Sequence, residues 1–76
     1  MKRNNHIVSN PDILGGKPII KGTRISVEFI LNLMANGWTE ERILANYPHL
    51  TQETIQAVLA FASEVIKDER IYPIKV

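Results

Sequence analysis

The segment from Gly15 to Ser26 constrains the fold more than any other part of the sequence. It contains three glycines, three cations and a proline around the apolar pair Ile19-Ile20. Glycines in such a segment favour positive φ or close backbone approach, and the β-branched residues between them favour short strands. Ser26 is a good helix N-cap. The segment therefore predicts a small basic hairpin, or a pair of β-bridges, that leads directly into a helix.

The residues before this segment predict another short strand. Ile7-Val8-Ser9 is an apolar run, and Asn10-Pro11-Asp12 stops it with a turn signature. We expect three regions: a flexible N-terminal arm over residues 1–6, a folded domain over residues 7–68, and an extended, strand-like tail over residues 69–76.

Helical periodicity predicts three helices, each with a hydroxyl residue as its N-cap. The caps are, in order, Ser26, Thr39 and Thr51. The first helix covers about residues 27 to 36 and stops at Asn36-Gly37, the second ends at Pro48, and the third continues to about Asp68. The apolar stripes comprise Val27, Ile30, Leu31, Met34 and Ala35 in the first helix, Ile43, Leu44 and Tyr47 in the second, and Ile55, Val58, Leu59, Ala62, Val65 and Ile66 in the third. The expected fold class is mainly α: three helices with a helix-turn-helix, a short N-terminal hairpin and a strand-like C-terminal tail.

Composition limits how such a small chain can be stabilised. It has 76 residues, no cysteine and two histidines, which excludes disulfides and leaves too few ligands for a structural zinc site. The free energy gained by burying a core of this size only just exceeds the entropy cost of ordering the chain. We therefore expect oligomerisation or a partner to add stability. No apolar stretch is long enough to cross a membrane, and no signal-peptide core follows the basic start. We expect a cytoplasmic protein without a cofactor.

The charges are unevenly distributed along the chain. The net charge is only +1, which argues against strong non-specific binding to polyanions. Residues 1–25 nevertheless carry five cations against one acid, whereas residues 26–66 carry one cation against five acids. The glycine-rich end is therefore basic and the helical middle is acidic. Ordinary solvated surface charges explain this asymmetry equally well.

The connection between the second and third helices is typical of a helix-turn-helix. Only Pro48-His49-Leu50 joins them, and so short a connection forces a steep angle between the helices. Leu44-Ala45 and Ile55 fall at the spacing of such motifs, with His49 at the position that adopts left-handed φ. Glycine would adopt this conformation with less strain, although histidine tolerates it.

If the third helix entered a major groove, its exposed N-terminal residues would face the bases. These residues are Gln52, Glu53 and Gln56, with Thr51 near a phosphate. No cation lies on this helix before Lys67, which is an objection to DNA binding. Phosphate contacts would have to come from Lys17, Lys21, Arg24 or the Lys2-Arg3 arm.

Neither nucleotide binding nor catalysis is indicated. A phosphate-binding loop needs four residues between its first glycine and a Gly-Lys-Ser/Thr run, but Gly16 and Gly22 bracket five and Lys17 precedes a proline. There is no cysteine, and neither histidine has an evident serine and acid partner. The sequence therefore predicts a protein that is not an enzyme.

Arg24 has two interpretations. It can be a structural arginine on a strand, tying the hairpin to an acidic residue such as Glu28 or to a helix C-terminus. It can instead face phosphate or the carboxylates of a partner, where a planar bidentate guanidinium is hard to replace. Trp38 is predicted to cap the core between the first two helices rather than to act as a stacking platform.

Three runs of residues carry a resemblance to a known family. They are Asn10 to Val27, Asn36-Gly37-Trp38-Thr39-Glu40-Glu41, and Tyr47-Pro48-His49-Leu50-Thr51, and they include the elements Gly-Lys-Pro, Lys-Gly-Thr-Arg and Tyr-Pro-x-Leu-Thr. Through them the chain, from about Ile7 to Phe61, closely resembles the DUF433 family of small bacterial and archaeal proteins. The resemblance implies a homeodomain-like helical domain related to winged helices. It also implies an antitoxin role, because such proteins are often encoded beside a PIN-like nuclease toxin.

An antitoxin of this kind would act on the clustered carboxylates that hold metal ions in the nuclease. A cation such as Arg24 presented to that cluster would block entry of metal or substrate. The tail, through Ile71, Tyr72 and Ile74, would alternatively add a strand to a sheet edge of the nuclease. The resemblance further implies a homodimer that binds its own operator DNA. A freestanding DNA-binding regulator and a self-associating structural module are the alternative functions.

Overall fold

The computed structural model describes residues 5–68 of the chain. In this part, a two-stranded sheet precedes three α-helices. Strand β1 covers Ile7–Val8 and strand β2 covers Ile19–Ile20, with a short 3-10 helix at Leu14–Gly16 between them. Helix α1 covers Val27–Ala35, α2 covers Glu40–Asn46 and α3 covers Gln52–Asp68. The predicted fold class, a mainly helical domain with a short N-terminal hairpin, is confirmed over these residues. The strand-like tail predicted over residues 69–76 lies outside them.

Strand β2 is hydrogen-bonded on both sides. It pairs antiparallel with β1, with Ile7 opposite Ile20 and Val8 opposite Ile19. Ile19 also forms a bridge with Ser26, beyond the loop that follows β2. The two strands and the Ile19–Ser26 bridge, together called the β-element, therefore end at the residue that caps α1. This explains how the glycine-rich segment positions the helix.

All three predicted caps are present. The hydroxyl oxygens of Ser26 and Thr39 accept hydrogen bonds from the backbone N–H groups of Phe29 and Arg42. The Thr51 hydroxyl accepts from the N–H of Thr54 at 3.2 Å. These bonds satisfy donors that the first turn of a helix leaves unpaired, so each helix begins directly after its cap.

The core lies where the β-element and the three helices meet. One or two residues from each helix are completely buried: Ile30, Ile43, Ile55 and Val58. Ile20, Val27 and Leu50 extend this cluster. Trp38 packs against it while half-buried, as predicted for a core cap.

The predicted apolar stripes are only partly covered. In α3, Leu59, Val65 and Ile66 are exposed, and Ala35 of α1 is exposed as well. Helix α3, with 17 residues, is ~25 Å long, whereas α1, with nine, is ~13 Å long. The described elements cover only part of the second half of α3, so the end of its stripe, at Val65 and Ile66, is exposed to solvent.

The turn between α2 and α3 differs from the expected one. The N–H of Leu50 donates to the carbonyl of Tyr47 at 2.9 Å, and Pro48 and His49 occupy the centre of this turn. His49 does not have the left-handed φ expected of it. Proline as the first central residue suits a type I turn, which requires no positive φ. Among non-glycine residues 5–68, positive φ occurs only at Leu14, at 50°.

No helix in the described part of the chain has the length and apolar character needed to cross a membrane.

Candidate functional site

Residues 21–24 form a four-residue loop, the cationic loop, whose ends are held together by hydrogen bonds. The Ile20 N–H donates to the Ile25 carbonyl at 2.9 Å, and the Thr23 N–H donates back to the Ile20 carbonyl at 3.0 Å. The Thr23 hydroxyl donates to the Ile20 carbonyl and accepts from the Ile25 N–H. Gly22 has φ 82°, which allows the chain to turn here. The loop therefore presents Lys21 and Arg24 to solvent from a fixed base.

Arg24 lies in this loop rather than on a strand, and it lines a cleft of about 390 Å³. Leu14, Phe29 and Tyr47 also line this cleft, which we call the Arg24 cleft. The rings of Phe29 and Tyr47 meet edge to face, with centroids 5.9 Å apart. This contact fixes the aromatic wall of the cleft.

Leu14 is an unusual residue in the Arg24 cleft. Its side chain is 49% exposed, and its φ of 50° is unfavourable for a branched side chain. Two glycines with positive φ, Gly15 and Gly16, follow it in the 3-10 helix. The chain thus holds an apolar side chain in solvent at a cost in backbone strain, which is typical of functional surfaces.

Lys17, unlike Lys21 and Arg24, forms an ion pair within the described residues. Its Nζ donates to Glu28 Oε1 at 3.0 Å. Glu28, one predicted partner of a structural Arg24, forms its ion pair with Lys17 instead. Within residues 5–68, neither Arg24 nor Lys21 forms an ion pair. Within the described residues, the cationic loop therefore carries two cations without an ion pair, Lys21 and Arg24.

The start of α3 carries the predicted base-reading residues. Gln52, Glu53 and Gln56 are exposed there, and the Thr51 hydroxyl is engaged in capping. Lys17 lines a groove together with Phe61 and Val65 of the second half of α3. At a rise of ~1.5 Å per residue, Gln52 and Phe61 lie ~13 Å apart along the helix axis. The structure therefore does not bring Lys17 to the start of α3.

Arg24 shares its cleft with Tyr47, which precedes Gln52 by five residues in the sequence. The predicted partner-binding residues Ile71, Tyr72 and Ile74 lie outside the described residues.

Among residues 5–68, no three His, Asp or Glu side chains are close enough to hold a metal ion.

Sequence reasoning missed the apolar half of the Arg24 cleft. Leucine is not a residue that signals positive φ, so only the two glycines after Leu14 hinted at a turn. Phe29 is three residues after the Ser26 cap and off the predicted apolar stripe, and its contact with Tyr47 joins α1 to the end of α2. No local pattern reports such a contact.

Comparison with known proteins agrees with the architecture. A crystal structure of a DUF433 member protein from Anabaena variabilis is similar to this chain, with a TM-score of 0.79 and 31% identity over 84% of this chain and 63% of that chain. The uncharacterized protein y4eO of Sinorhizobium fredii is 39% identical over 56 residues, which are 74% of this chain. The chain spans only a quarter of y4eO, 25% of its length.

The sequence model of the family described as protein of unknown function (DUF433) matches residues 7–62. The match includes the β-element, all of α1 and α2, and the part of α3 that enters the core. It thus extends over both the fold and the Arg24 cleft, and the chain belongs to the DUF433 family.

Proposed function

We propose that this chain is a non-enzymatic antitoxin that neutralises a PIN-like nuclease. The observation that carries the proposal is the Arg24 cleft, in which an exposed guanidinium without an ion pair in residues 5–68 lies beside exposed apolar side chains. The family resemblance supplies the class of partner. A cation next to an apolar surface fits a protein partner with buried carboxylates better than it fits a highly hydrated polyanion.

Inhibition would follow from charge and geometry. PIN-like nucleases hold metal ions with clustered carboxylates, and a guanidinium can bind a carboxylate through two parallel hydrogen bonds. Leu14 and Phe29, packed against the nuclease, would exclude water and so strengthen these bonds. Lys21, on the same loop, adds a second positive charge. Arg24 is therefore the residue that would compete with the metal ions or cover them.

The test is RNA cleavage by a PIN-like nuclease encoded beside this chain. Wild-type protein is expected to co-purify with the nuclease and to abolish cleavage, and co-expression is expected to restore growth. Arg24→Ala should weaken the complex ~10- to 100-fold, since hydrogen bonds between charged groups contribute ~1.5–3 kcal/mol. Arg24→Lys should restore only part of the affinity, because lysine lacks the bidentate fork.

Lys67→Ala is the matched control, since Lys67 is an exposed cation at the far end of α3. It should inhibit like the wild type. Failure of the wild-type chain to bind the nuclease would refute the antitoxin proposal, and equal inhibition by Arg24→Ala would remove Arg24 from the contact.

The proposal includes repression of the chain's own operon by a homodimer. Gln52 and Gln56 are exposed at the start of α3, directly after the short turn, as expected of a helix that reads bases. Arg24, which shares a cleft with Tyr47 at the end of α2, would supply a phosphate contact. Glu53, also exposed, would accept a hydrogen bond from cytosine.

Mobility shifts with upstream DNA at several salt concentrations test repression. We expect affinity to fall with salt, Arg24→Ala to weaken binding to every sequence, and Gln52→Ala to reduce discrimination between sequences. Equal affinity for the operator and for random DNA would refute specific repression. Specific DNA binding without nuclease binding would instead identify a freestanding regulator.

A further inference from the structure

A second surface lies away from the Arg24 cleft, in a groove between α1 and the second half of α3. Val27 and Leu31 line it on α1, and Phe61, Val65 and Ile66 line it on α3. The groove has a volume of about 470 Å³. Val65 is 40% exposed and Ile66 is 56% exposed, although both continue the stripe that forms the core. We call this surface the α1–α3 groove.

The ion pair between Lys17 and Glu28 lies at the edge of the α1–α3 groove. Both residues line the groove, and their side chains are 60% and 63% exposed. The edge thus presents one positive and one negative charge beside an apolar surface. A complementary partner presents an apolar surface flanked by a negative charge opposite Lys17 and a positive charge opposite Glu28, which then replace the ion pair within the chain.

A second copy of this chain meets that requirement. In a two-fold symmetric contact the same patch occurs on both sides, so Lys17 of each copy can face Glu28 of the other. From these complementary charges we propose that two copies of this chain pair through the α1–α3 groove, each α3 lying against the groove of the other copy.

The helix surface is suited to such packing. Leu59, Ala62 and Ile66 are spaced three and four residues apart, so they lie on one face of α3. Ala62 also lines the groove, and a small residue at this point lets two helices approach closely. Pairing would bury the exposed half of the stripe, which supplies the additional stabilisation that a domain of this size needs.

This pairing rests on the proposed homodimer, to which it gives a contact surface, but it requires neither the nuclease nor DNA. The residues of the α1–α3 groove and those of the Arg24 cleft do not overlap. The dimer can therefore be tested on the isolated chain, and Arg24→Ala should leave it intact even where nuclease inhibition is lost.

The first experiment measures mass by sedimentation between 1 and ~100 µM, a range in which a specific dimer of moderate affinity dissociates. The wild type is expected to have twice the mass of one 8.6 kDa chain. Ile66→Glu should raise the dissociation constant at least ~100-fold, because it would bury an unpaired charge. Ala60→Glu, at an exposed position of α3 outside the groove, is the matched control and should remain dimeric.

Circular dichroism checks that both variants keep their helical content, since neither position lies in the core. A wild-type chain that is monomeric at the highest concentration overturns the proposal. So does a dimer that persists unchanged in Ile66→Glu, because its contact would then lie elsewhere.

The second experiment tests the reciprocal contact. Lys17→Glu leaves two acids at the edge of the groove and Glu28→Lys leaves two cations, so each variant alone repels its own copy. Mixed together, the two variants should form a heterodimer more tightly than either forms a homodimer, as native mass spectrometry can measure. A mixture that pairs no better than the separate variants overturns the two-fold arrangement.

Discussion

The guanidinium of Arg42 lies over the indole ring of Trp38, with its central carbon 3.9 Å from the ring centroid. Trp38 directly precedes the Thr39 cap of α2 and packs against the core. Arg42 covers one face of the ring. The contact thus fastens the first turn of α2 to the edge of the core.

Replacing Arg42 should weaken the fold modestly. We expect Arg42→Ala to lower the free energy of unfolding by about 0.5–1 kcal/mol, the usual contribution of an exposed cation–π contact. Glu41→Ala, at the neighbouring exposed position, is the control and should change it by less than about 0.5 kcal/mol. Urea denaturation at one fixed protein concentration measures both, because pairing makes stability depend on concentration. Equal effects of the two variants would contradict a specific contact.

The helix caps predict a larger effect. Ser26→Ala and Thr39→Ala should each destabilise the protein by about 1 kcal/mol, since each removes the acceptor of a first-turn N–H. Ser26→Asp should retain most of the stability, because aspartate is an equally good cap. Ser63→Ala, at an exposed position inside α3, should be neutral or slightly stabilising. Thermal unfolding monitored by circular dichroism distinguishes these outcomes.

Replacing Leu14 should weaken binding to the nuclease without lowering the free energy of unfolding. Leu14→Asn tolerates left-handed φ better, so it should leave the free energy of unfolding unchanged or raise it by up to ~1 kcal/mol. The same variant should bind the nuclease more weakly, because the exposed apolar side chain is lost. Gly15→Ala, at φ 64°, should destabilise by about 1 kcal/mol. A Leu14→Asn variant that is clearly less stable would show that Leu14 serves the fold.

Replacing an isoleucine by alanine should lower the free energy of unfolding by different amounts in the two halves of α3. Ile55→Ala removes a completely buried side chain and should cost about 2–5 kcal/mol through lost burial and an added cavity. Ile66→Ala should cost under about 1 kcal/mol at protein concentrations too low for pairing. Urea titrations at two protein concentrations check this, and the penalty for Ile66→Ala should grow at the higher one. A penalty for Ile66→Ala that is independent of concentration would contradict the proposed pairing.

The helices were predictable because their limits are set locally. The hydroxyls of Ser26, Thr39 and Thr51 each accept a hydrogen bond from the N–H group three residues ahead, and a sequence displays such spacings directly. The stop after α1 was predictable for the same reason, since Gly37 adopts φ 92° there.

Long-range contacts were not predictable in this way. Glu28 pairs with Lys17, eleven residues earlier, because the extended segment after the 3-10 helix lies beside the start of α1, where the Val27 N–H donates to the Pro18 carbonyl. Val65 and Val58 are the same residue type on the same stripe, yet only Val58 is buried. Which half of a stripe is covered depends on the lengths of the neighbouring helices, which periodicity within α3 does not report.

The extent of α3 past the core has a consequence for how this protein can diverge. Ile55 and Val58 are constrained by close packing, whereas Val65 and Ile66 face outward and can be exchanged without disturbing the interior. If two copies pair through this surface as proposed, duplicated genes can acquire mutually exclusive pairing by changing a few outward residues of one helix. Several such proteins could then coexist in one cell without forming mixed assemblies, while keeping an identical interior.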